Sequence, residues 1–255
     1  MRFNRSARFL VAAVAAIGFI SAGFQTARAD DGFMLKQKYK EGDVDKYKMT
    51  MSIEGAVSIE VTIVTQETVK KVAMDGTVTV ENKVVSSALS VGGNEQPLPG
   101  QAAGTITTIT YDKAGKVIKR EGGGGGRGAA GMMGLAKPNY LPEKALKAGE
   151  EYPFEFTEKQ GDATQTAKGV IKVVGLEKDS KDLKGASGIK ATIKADAVMT
   201  GPMGEMKPHT EGTIFVDPDT GKMLLFKANV TGMEIPNLGE AKVAIVRTLV
   251  KADPK

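Results

Sequence analysis

The sequence contains no cysteine and no tryptophan, and it has one histidine among its 255 residues. Without cysteine the protein can form no disulfide, no thiol redox centre and no metal site with thiolate ligands. Attachment of a lipid to a cysteine is excluded as well. Because the only histidine is His209, a histidine-rich metal centre cannot form, and a Ser-His-Asp triad would have to use this residue. Stability must therefore come from packing.

Helical signals are nearly absent. Only residues 140–147 combine a proline, Pro142, with a following run of helix formers, which predicts a short helix. Elsewhere apolar and polar residues alternate, most clearly over residues 57–63, and alternation with period two indicates a strand with one buried face. Residues 33–39 form a short mixed segment that we interpret as an edge strand. The sequence therefore predicts a mainly β protein.

The N-terminus has the pattern of a secretory signal peptide. A basic start with Arg2, Arg5 and Arg8 precedes an apolar run over residues 9–20, and Ala-Arg-Ala follows at 27–29. The apolar run is too short to span a bilayer. We predict cleavage after residue 29, no stable transmembrane anchor in the mature chain, and a periplasmic or secreted location.

Removal of this segment changes the charge of the protein. The whole chain carries 35 basic and 30 acidic residues. Four of the arginines lie in residues 1–29 and no acidic residue does, so the mature chain has 31 basic residues against 30 acidic ones. A net charge of about +1 gives no support to nucleic acid as a partner.

Two similar hairpins predict an internal duplication. Residues 104–119 and residues 212–227 both open with Gly-Thr-Ile, turn through an Asp-containing loop that ends in Gly-Lys, and continue as an apolar strand. The same offset of about 107 residues relates Gly42 to Gly149. A shared offset at separate landmarks indicates a tandem repeat.

The predicted organisation is a first β repeat over residues 30–121, a linker over 122–146 and a second β repeat over 147–255. We expect antiparallel meanders duplicated in tandem that form a curved sheet, a half-barrel or a sandwich. Residues 223–230 and 243–250 are apolar enough for strands covered on two sides. The glycine tract at 122–134 lacks the Gly-Lys-Ser/Thr and the helix of a phosphate-binding loop, so a flexible linker is the better interpretation.

Four residues of the second half form a candidate soft-metal site. Met199, Met203, Met206 and His209 offer thioether and imidazole ligands of the kind that bind Cu(I). Glycines and prolines between them argue against a helix that would align them. The alternative is that the methionines fill gaps or line an apolar surface and that His209 is a solvated loop residue. We favour this alternative and predict no metal.

Residues 217–221, Asp-Pro-Asp-Thr-Gly, are similar to the start of a calcium loop. They lack the third acidic ligand and the later bidentate glutamate of that loop, whereas a β-turn accounts for every residue. Carboxylates that converge for catalysis cannot be placed from the sequence. We therefore assign no catalytic residue and no cofactor, and the residues that bind a ligand stay unassigned.

The chain has Lys-x-Gly-Asp/Glu strand openings at residues 40–43 and 147–150, a Leu-Pro-Glu-Lys-Ala-Leu segment just before the second opening, and two Asp-x-x-Gly-Lys hairpins. With these motifs it resembles an uncharacterised family of exported bacterial proteins, known only as a domain of unknown function. More remotely, the glycine-punctuated single sheet is similar to the periplasmic lipoprotein carriers, whose curved half-barrels hold acyl chains. This resemblance implies a fold and a location and carries over no functional residue.

Two classes of function follow. The first is a non-catalytic exported module that binds a lipid-like or other apolar ligand, or a partner protein, in its curved sheet. The second is a structural or interaction component of the cell envelope that adds partners along a sheet edge. An enzyme ranks third, because no convergent nucleophile, base or metal set is visible.

Overall fold

The computed structural model describes residues 32–55, 57–98, 101–113, 115–122, 141–160, 163–201, 204–235 and 239–250. The predicted signal peptide and most of the predicted linker lie outside these residues. The described residues form strands and no helix, with these bounds: β1 Val44–Glu54, β2 Ile59–Val72, β3 Val78–Val91, β4 Asn94–Gln96, β5 Ile106–Tyr111, β6 Val117–Gly122, β7 Glu151–Gln160, β8 Ala163–Glu177, β9 Gly188–Gly201, β10 Gly204–Met206, β11 His209–Val216, β12 Met223–Ile235 and β13 Gly239–Val250.

All these strands belong to one open, curved, antiparallel sheet, which confirms the predicted fold class. The order across the sheet is β6-β5-β3-β2-β1-β13-β12-β11-β9-β8-β7, with β4 paired to β3 and β10 paired to β9. The first half of the chain and the second half contribute their strands in the same order. The last strand, β13, joins the halves because it pairs with β1 on one side and β12 on the other.

The strand openings of the two halves have the same local structure. Gly42 N–H donates to the carbonyl of Val69 over 2.9 Å, and Gly149 N–H donates to the carbonyl of Val173 over 2.8 Å. Both glycines have positive φ, 86° and 83°, which only glycine adopts without strain. The domain boundaries and the duplication itself stay a prediction.

The core lies on one face of the sheet, here called the inner face. Residues paired across antiparallel strands point to the same side, and the pairs Met51–Val61, Met51–Ile245 and Ile193–Ile171 place apolar side chains there. These residues belong to one buried cluster that draws on strands of both halves. The alternation read from the sequence has its expected effect most clearly in β1 and β13, where every second residue of the central positions is buried.

The N-terminal segment, residues 33–39, corrects one prediction. It is not an edge strand, because only Phe33 makes a β-bridge, to Leu146. Leu35 is 1% exposed and packs in the core. Lys36 Nζ donates to the carbonyl of Lys113 in the β5–β6 turn, and Lys38 N–H donates to the carbonyl of Thr220 in the β11–β12 turn over 2.8 Å. The segment therefore connects the hairpin turns of the two halves.

The predicted helix at 140–147 is also wrong. Residues 141–147 are irregular apart from the bridge at Leu146, which exchanges backbone hydrogen bonds with Phe33 at 2.7 and 3.0 Å. Leu146 is fully buried. Burial of this side chain beside Leu35 outweighs the modest helix propensity of a short segment.

The prediction of strands covered on both sides holds for the start of β12 and fails for β13. Phe215 and Leu225, which point away from the inner face, are buried. An ion pair of 2.6 Å between Lys227 and Asp182 ties the loop over residues 178–187 to β12. On β13 the outward Val246 is 37% exposed.

Candidate ligand-binding face

The inner face is apolar along most of its length. Its central positions carry large side chains with at most 2% exposure, among them Met51, Ile63, Ile214, Phe226 and Ile245. Such side chains interact with neighbours by packing and offer no hydrogen bond. Any ligand that this face accepts must therefore be largely apolar.

Small residues cover one part of the inner face, on strands β8, β9 and β11. The members of this small-residue floor are Ala167, Gly169, Ala195, Ala197 and Gly212. A Cβ atom at Gly169 would lie 2.6 Å from Cζ of Phe154, so this aromatic ring packs directly against the backbone. The floor is itself covered, because Ala167, Ala195 and Ala197 are only 2–8% exposed.

Partly buried apolar side chains lie at both ends of the inner face. At the end where β1, β3, β7 and β9 begin, here the closed end, the fully buried Leu35 and Leu146 cover the core, and Tyr152 and Leu249 are partly buried. At the opposite end, here the far end, Ile59, Leu89 and Leu98 are partly buried against the same cluster.

Gln165 is the unusual polar residue near the far end. It pairs with Met199 in β9 and follows the same face as Ala167. The side chain is 8% exposed, and among the described residues its Nε2 is the buried side-chain polar atom without a hydrogen-bond partner. A buried amide donor without an acceptor costs about 1–3 kcal/mol. The pair partner of Gln165 in β7 is Glu158.

A buried ion pair lies toward the closed end. Arg247 Nη2 donates to Glu67 Oε1 over 2.6 Å, and the side chains are 7% and 14% exposed. The guanidinium carbon lies 4.1 Å from the centroid of the Tyr47 ring. Burial, assisted by the charge of Glu67 and opposed by Arg247, raises the pKa of Tyr47 far above its ordinary value, so its phenol stays neutral.

A second ion-pair group adjoins the same end. Lys222 Nζ lies 3.1 Å from Asp45 Oδ1 and 3.2 Å from Asp43 Oδ2, and the lysine side chain is 19% exposed. The Arg247–Glu67 pair joins β13 to β2. The Lys222 group joins the turn before β12 to the start of β1. Both groups therefore connect the second half of the chain to the first. Their geometry fits a structural role, because each charge already has an opposite partner.

The soft-metal motif is not assembled. Met199 and Met206 are paired residues of β9 and β10 and share the inner face. His209 pairs with Asp196, one position out of phase with the inward Ala195 and Ala197, and therefore points to the outer face. Met203 lies outside the described residues. The histidine and the two described methionines are thus on opposite sides of the sheet.

His209 has carboxylate partners instead of metal partners. Its Nδ1 lies 2.7 Å from Asp196 Oδ1, and its Nε2 lies 3.6 Å from Glu211 Oε1. The hydrogen bond to Asp196 raises the pKa of His209, with a smaller contribution from Glu211. The predicted loop histidine is therefore the first residue of β11 and is paired.

We expect NMR titration to give His209 a pKa above the 6.5 of a free histidine. Replacing Asp196 by Asn should lower this pKa more than Glu211→Gln does, because Asp196 makes the shorter contact. A raised pKa stabilises the folded state below the unfolded-state pKa, and this contribution disappears as the pH rises through the folded-state value. An unchanged pKa in the Asp196→Asn variant would contradict the assignment.

The sequence that resembles a calcium loop is a turn. Asp217 Oδ1 accepts hydrogen bonds from the N–H groups of Asp219 and Thr220 and from the Thr220 hydroxyl, at 2.8–3.1 Å. The Gly221 N–H donates to the Asp217 carbonyl over 2.8 Å. The carboxylate is thus used within the turn, as the sequence predicts.

The described residues include no group of three or more His, Asp or Glu side chains placed to hold a metal ion. They also include no helix with the length and apolar character needed to cross a membrane.

Sequence reasoning missed Gln165, Glu67 and Arg247. The signal that could have found Arg247 is its phase, since it follows Val243 and Ile245 at spacing two and so shares their buried side. Glu67 follows Ile63 in the same way, and Gln165 precedes Ala167. A polar residue in phase with an apolar face indicates either a buried pair or a binding group.

No family model matches the sequence, and no curated protein matches it. The solved structures similar to this chain include the following three. The hypothetical lipoprotein YmcC of Escherichia coli has 14% identity and a TM-score of 0.27, with 82% of this chain and 86% of that chain covered. An exported protein with a YmcC-like fold from Bacteroides fragilis has 9% identity and a TM-score of 0.31, with 87% and 100% covered.

A LolA superfamily protein of Nitrosomonas europaea has 8% identity and a TM-score of 0.29, with 83% of this chain and 88% of that chain covered. Function has to be argued from the chain's own residues, because identities and TM-scores of this size carry no assignment of activity.

Proposed function

We propose that this chain is an exported, non-catalytic binding module, in the periplasm or outside the cell, that holds a lipid-like or other apolar ligand on the inner face of its sheet. The observation that supports it most is the partly exposed apolar rim of Ile59, Leu89 and Leu98 at the far end of that face.

The apolar character of the inner face supports the same proposal. Sites for small apolar molecules are lined mostly by apolar side chains. Lipid-like molecules gain about 25 cal/mol for each Å² of apolar surface that such a site removes from water.

The rim provides the test. We expect the Leu89→Glu variant to bind an environment-sensitive naphthylamine dye at least about tenfold more weakly than the unmodified protein, because it loses a leucine contact and places a charge in the apolar rim. Fluorescence titration measures the dissociation constant.

The matched control is Val85→Glu, the same change on the same strand at a side chain that is 39% exposed. This variant should bind the dye as the unmodified protein does. Equal weakening in both variants, or a dye that does not bind the unmodified protein, would contradict the proposed function.

A second candidate is a structural or interaction component of the envelope. The observation in its favour is the open sheet, whose outer strands β6 and β7 pair with no further strand in the described part of the chain. Edge strands can add a strand of a partner. Charged residues on these edges, such as Lys119, Glu121 and Glu155, oppose such addition. Native mass spectrometry separates the candidates: a co-purified lipid supports the first, and an empty self-associating protein supports the second.

A further inference from the structure

We propose that Met199, Met206 and Met233 form a binding site for Cu(I) at the far end of the inner face. This site goes beyond the proposed function and does not depend on it. The geometry that carries it is the position of three thioether side chains on the same face of β9, β10 and β12, which are neighbours at this end of the sheet. The site contains no imidazole, because His209 points to the outer face.

Two of the methionines face each other in the β9–β10 hairpin. Met199 and Met206 are direct pair partners. Met199 continues the inward alternate positions of β9 that include Ala195 and Ala197, so both methionines lie on the inner face. Directly opposed residues have Cβ atoms about 4.5–5.5 Å apart, which flexible methionine side chains can bridge through one ion. Both side chains are half-buried, so an ion can approach them from solvent.

The third methionine comes from β12. Met233 pairs with the buried Ala241 and is 2% exposed, which places its side chain on the inner face. A Cβ atom at the preceding Gly232 would lie 2.7 Å from the carbonyl oxygen of Lys207, so the backbone of β12 touches the residue that follows Met206. Met206 and Met233 are therefore neighbours across β10 and β12. Spacing along the sequence could not show this, because the two residues belong to different hairpins.

The donor atoms select the metal. Thioethers are soft ligands that favour Cu(I), whereas Zn²⁺ and Cu²⁺ favour imidazole, and Ca²⁺ and Mg²⁺ favour carboxylates. The inner positions of β9, β10 and β12 carry neither an imidazole nor a carboxylate within the part of the chain that the structure describes. Neutral ligands leave the charge of the ion uncompensated, which costs less for a monovalent ion than for a divalent one. The set therefore favours Cu(I) over the divalent metals.

Anaerobic titration of Cu(I) in competition with a chromophoric Cu(I) chelator tests the site. The unmodified mature chain should bind Cu(I), and the variants Met199→Leu, Met206→Leu and Met233→Leu should each bind it at least about tenfold more weakly. Loss of a partner outside the metal ligands typically weakens metal binding by about 10–100-fold, so loss of a ligand should cost no less. Leucine keeps the volume and the apolar character of methionine, so the variants should fold.

The matched control is Met51→Leu. Met51 is also 2% exposed on the inner face, but it pairs with Ile245, four residues along β13 from the Ala241 that pairs with Met233. This variant should bind Cu(I) as the unmodified protein does, because it removes a buried methionine of equal exposure away from the site.

NMR of the methionine methyl groups provides a second readout in the unmodified protein. Ag(I), a soft ion with the same charge and no redox change, should shift the methyl resonances of Met199, Met206 and Met233 and leave that of Met51 in place. Zn²⁺ at the same concentration should shift none of the four. This measurement decides the matter even where a leucine variant fails to fold.

Three results would overturn the site. The first is an unmodified protein that does not bind Cu(I). The second is Cu(I) binding that is equal in the three site variants and in Met51→Leu, since the ion would then be held elsewhere. The third is a set of methyl shifts that excludes any of the three methionines or that Zn²⁺ reproduces. Each of these results leaves the proposed function untouched, because that function is tested by dye binding without metal.

Discussion

Replacing Glu67 by Ala is expected to lower the free energy of unfolding by about 3–5 kcal/mol, because the change leaves the Arg247 guanidinium buried without its anion. The guanidinium is held in place by the Tyr47 ring 4.1 Å away, and the arginine is 5% exposed, so water can replace the lost carboxylate only in part. Urea denaturation followed by circular dichroism measures the loss.

Two controls identify the cause. The double variant Glu67→Leu, Arg247→Met removes both charges and should recover most of the lost stability, because apolar side chains often replace a buried ion pair without loss. Glu155→Ala breaks an exposed pair, with Lys168 at 3.1 Å and exposures of 57% and 70%, and should change stability far less. If Glu67→Ala costs no more than Glu155→Ala, the buried pair does not join the halves as described.

Replacing Gly221 by Ala is expected to detach the N-terminal segment from the β11–β12 turn. A Cβ atom at this position would lie 2.1 Å from the Lys36 carbonyl oxygen and 2.7 Å from its carbon. Backbone atoms cannot yield by a change of rotamer, so residues 33–39 must move. The expected loss is about 2–4 kcal/mol, from exposure of Leu35 together with the strain of alanine at positive φ.

Hydrogen exchange reports this detachment directly, because the Lys38 N–H donates to the Thr220 carbonyl and should lose its protection. The matched control is Gly42→Ala, whose φ of 86° imposes the same backbone strain with no atom within 4 Å of the new Cβ. The control should cost only about 1–2 kcal/mol and leave the Lys38 amide protected. Equal exchange at Lys38 in both variants would show that the close approach of Lys36 does not hold the segment.

Local patterns predicted the strands well, because the alternation of apolar and polar residues within a strand shows which side chains are buried. In β1, Tyr47, Met49, Met51 and Ile53 alternate with polar residues and are all buried. The hairpin turns were equally clear, since Asp112 and Asp217 both accept backbone hydrogen bonds within their own turns. These features depend on neighbours within a few residues, which the sequence displays directly.

The errors occurred where a distant contact overrides local preference. Leu146 belongs to a run of helix formers, yet it pairs with Phe33, more than a hundred residues earlier in the chain. Residues 33–39 have the composition of a strand, yet their backbone hydrogen bonds go to Leu146 and to the β11–β12 turn, and the Lys36 side chain reaches the β5–β6 turn. Val246 follows the apolar run Val243–Ile245, yet it is 37% exposed because it points to the outer face of β13.

The candidate site also has features that the local sequence predicts and features that depend on distant residues. The apolar character of the inner face could be predicted, because alternation shows which residues share a side of each strand. Gln165 could be assigned to that side by its phase with Ala167, but the lack of a partner for its Nε2 depends on side chains from other strands. The pairing of Arg247 with Glu67 likewise depends on β13 lying beside β1.

By itself the sequence determined the mainly β fold, the antiparallel hairpins and the apolar side of each strand, because a strand's pleat and a turn's geometry are local properties. Only the tertiary structure decided that β13 joins the two halves, that the N-terminal segment covers one end and that Gln165 is buried without a partner. These features follow from packing and burial between residues far apart in the chain, and no short-range pattern encodes such contacts.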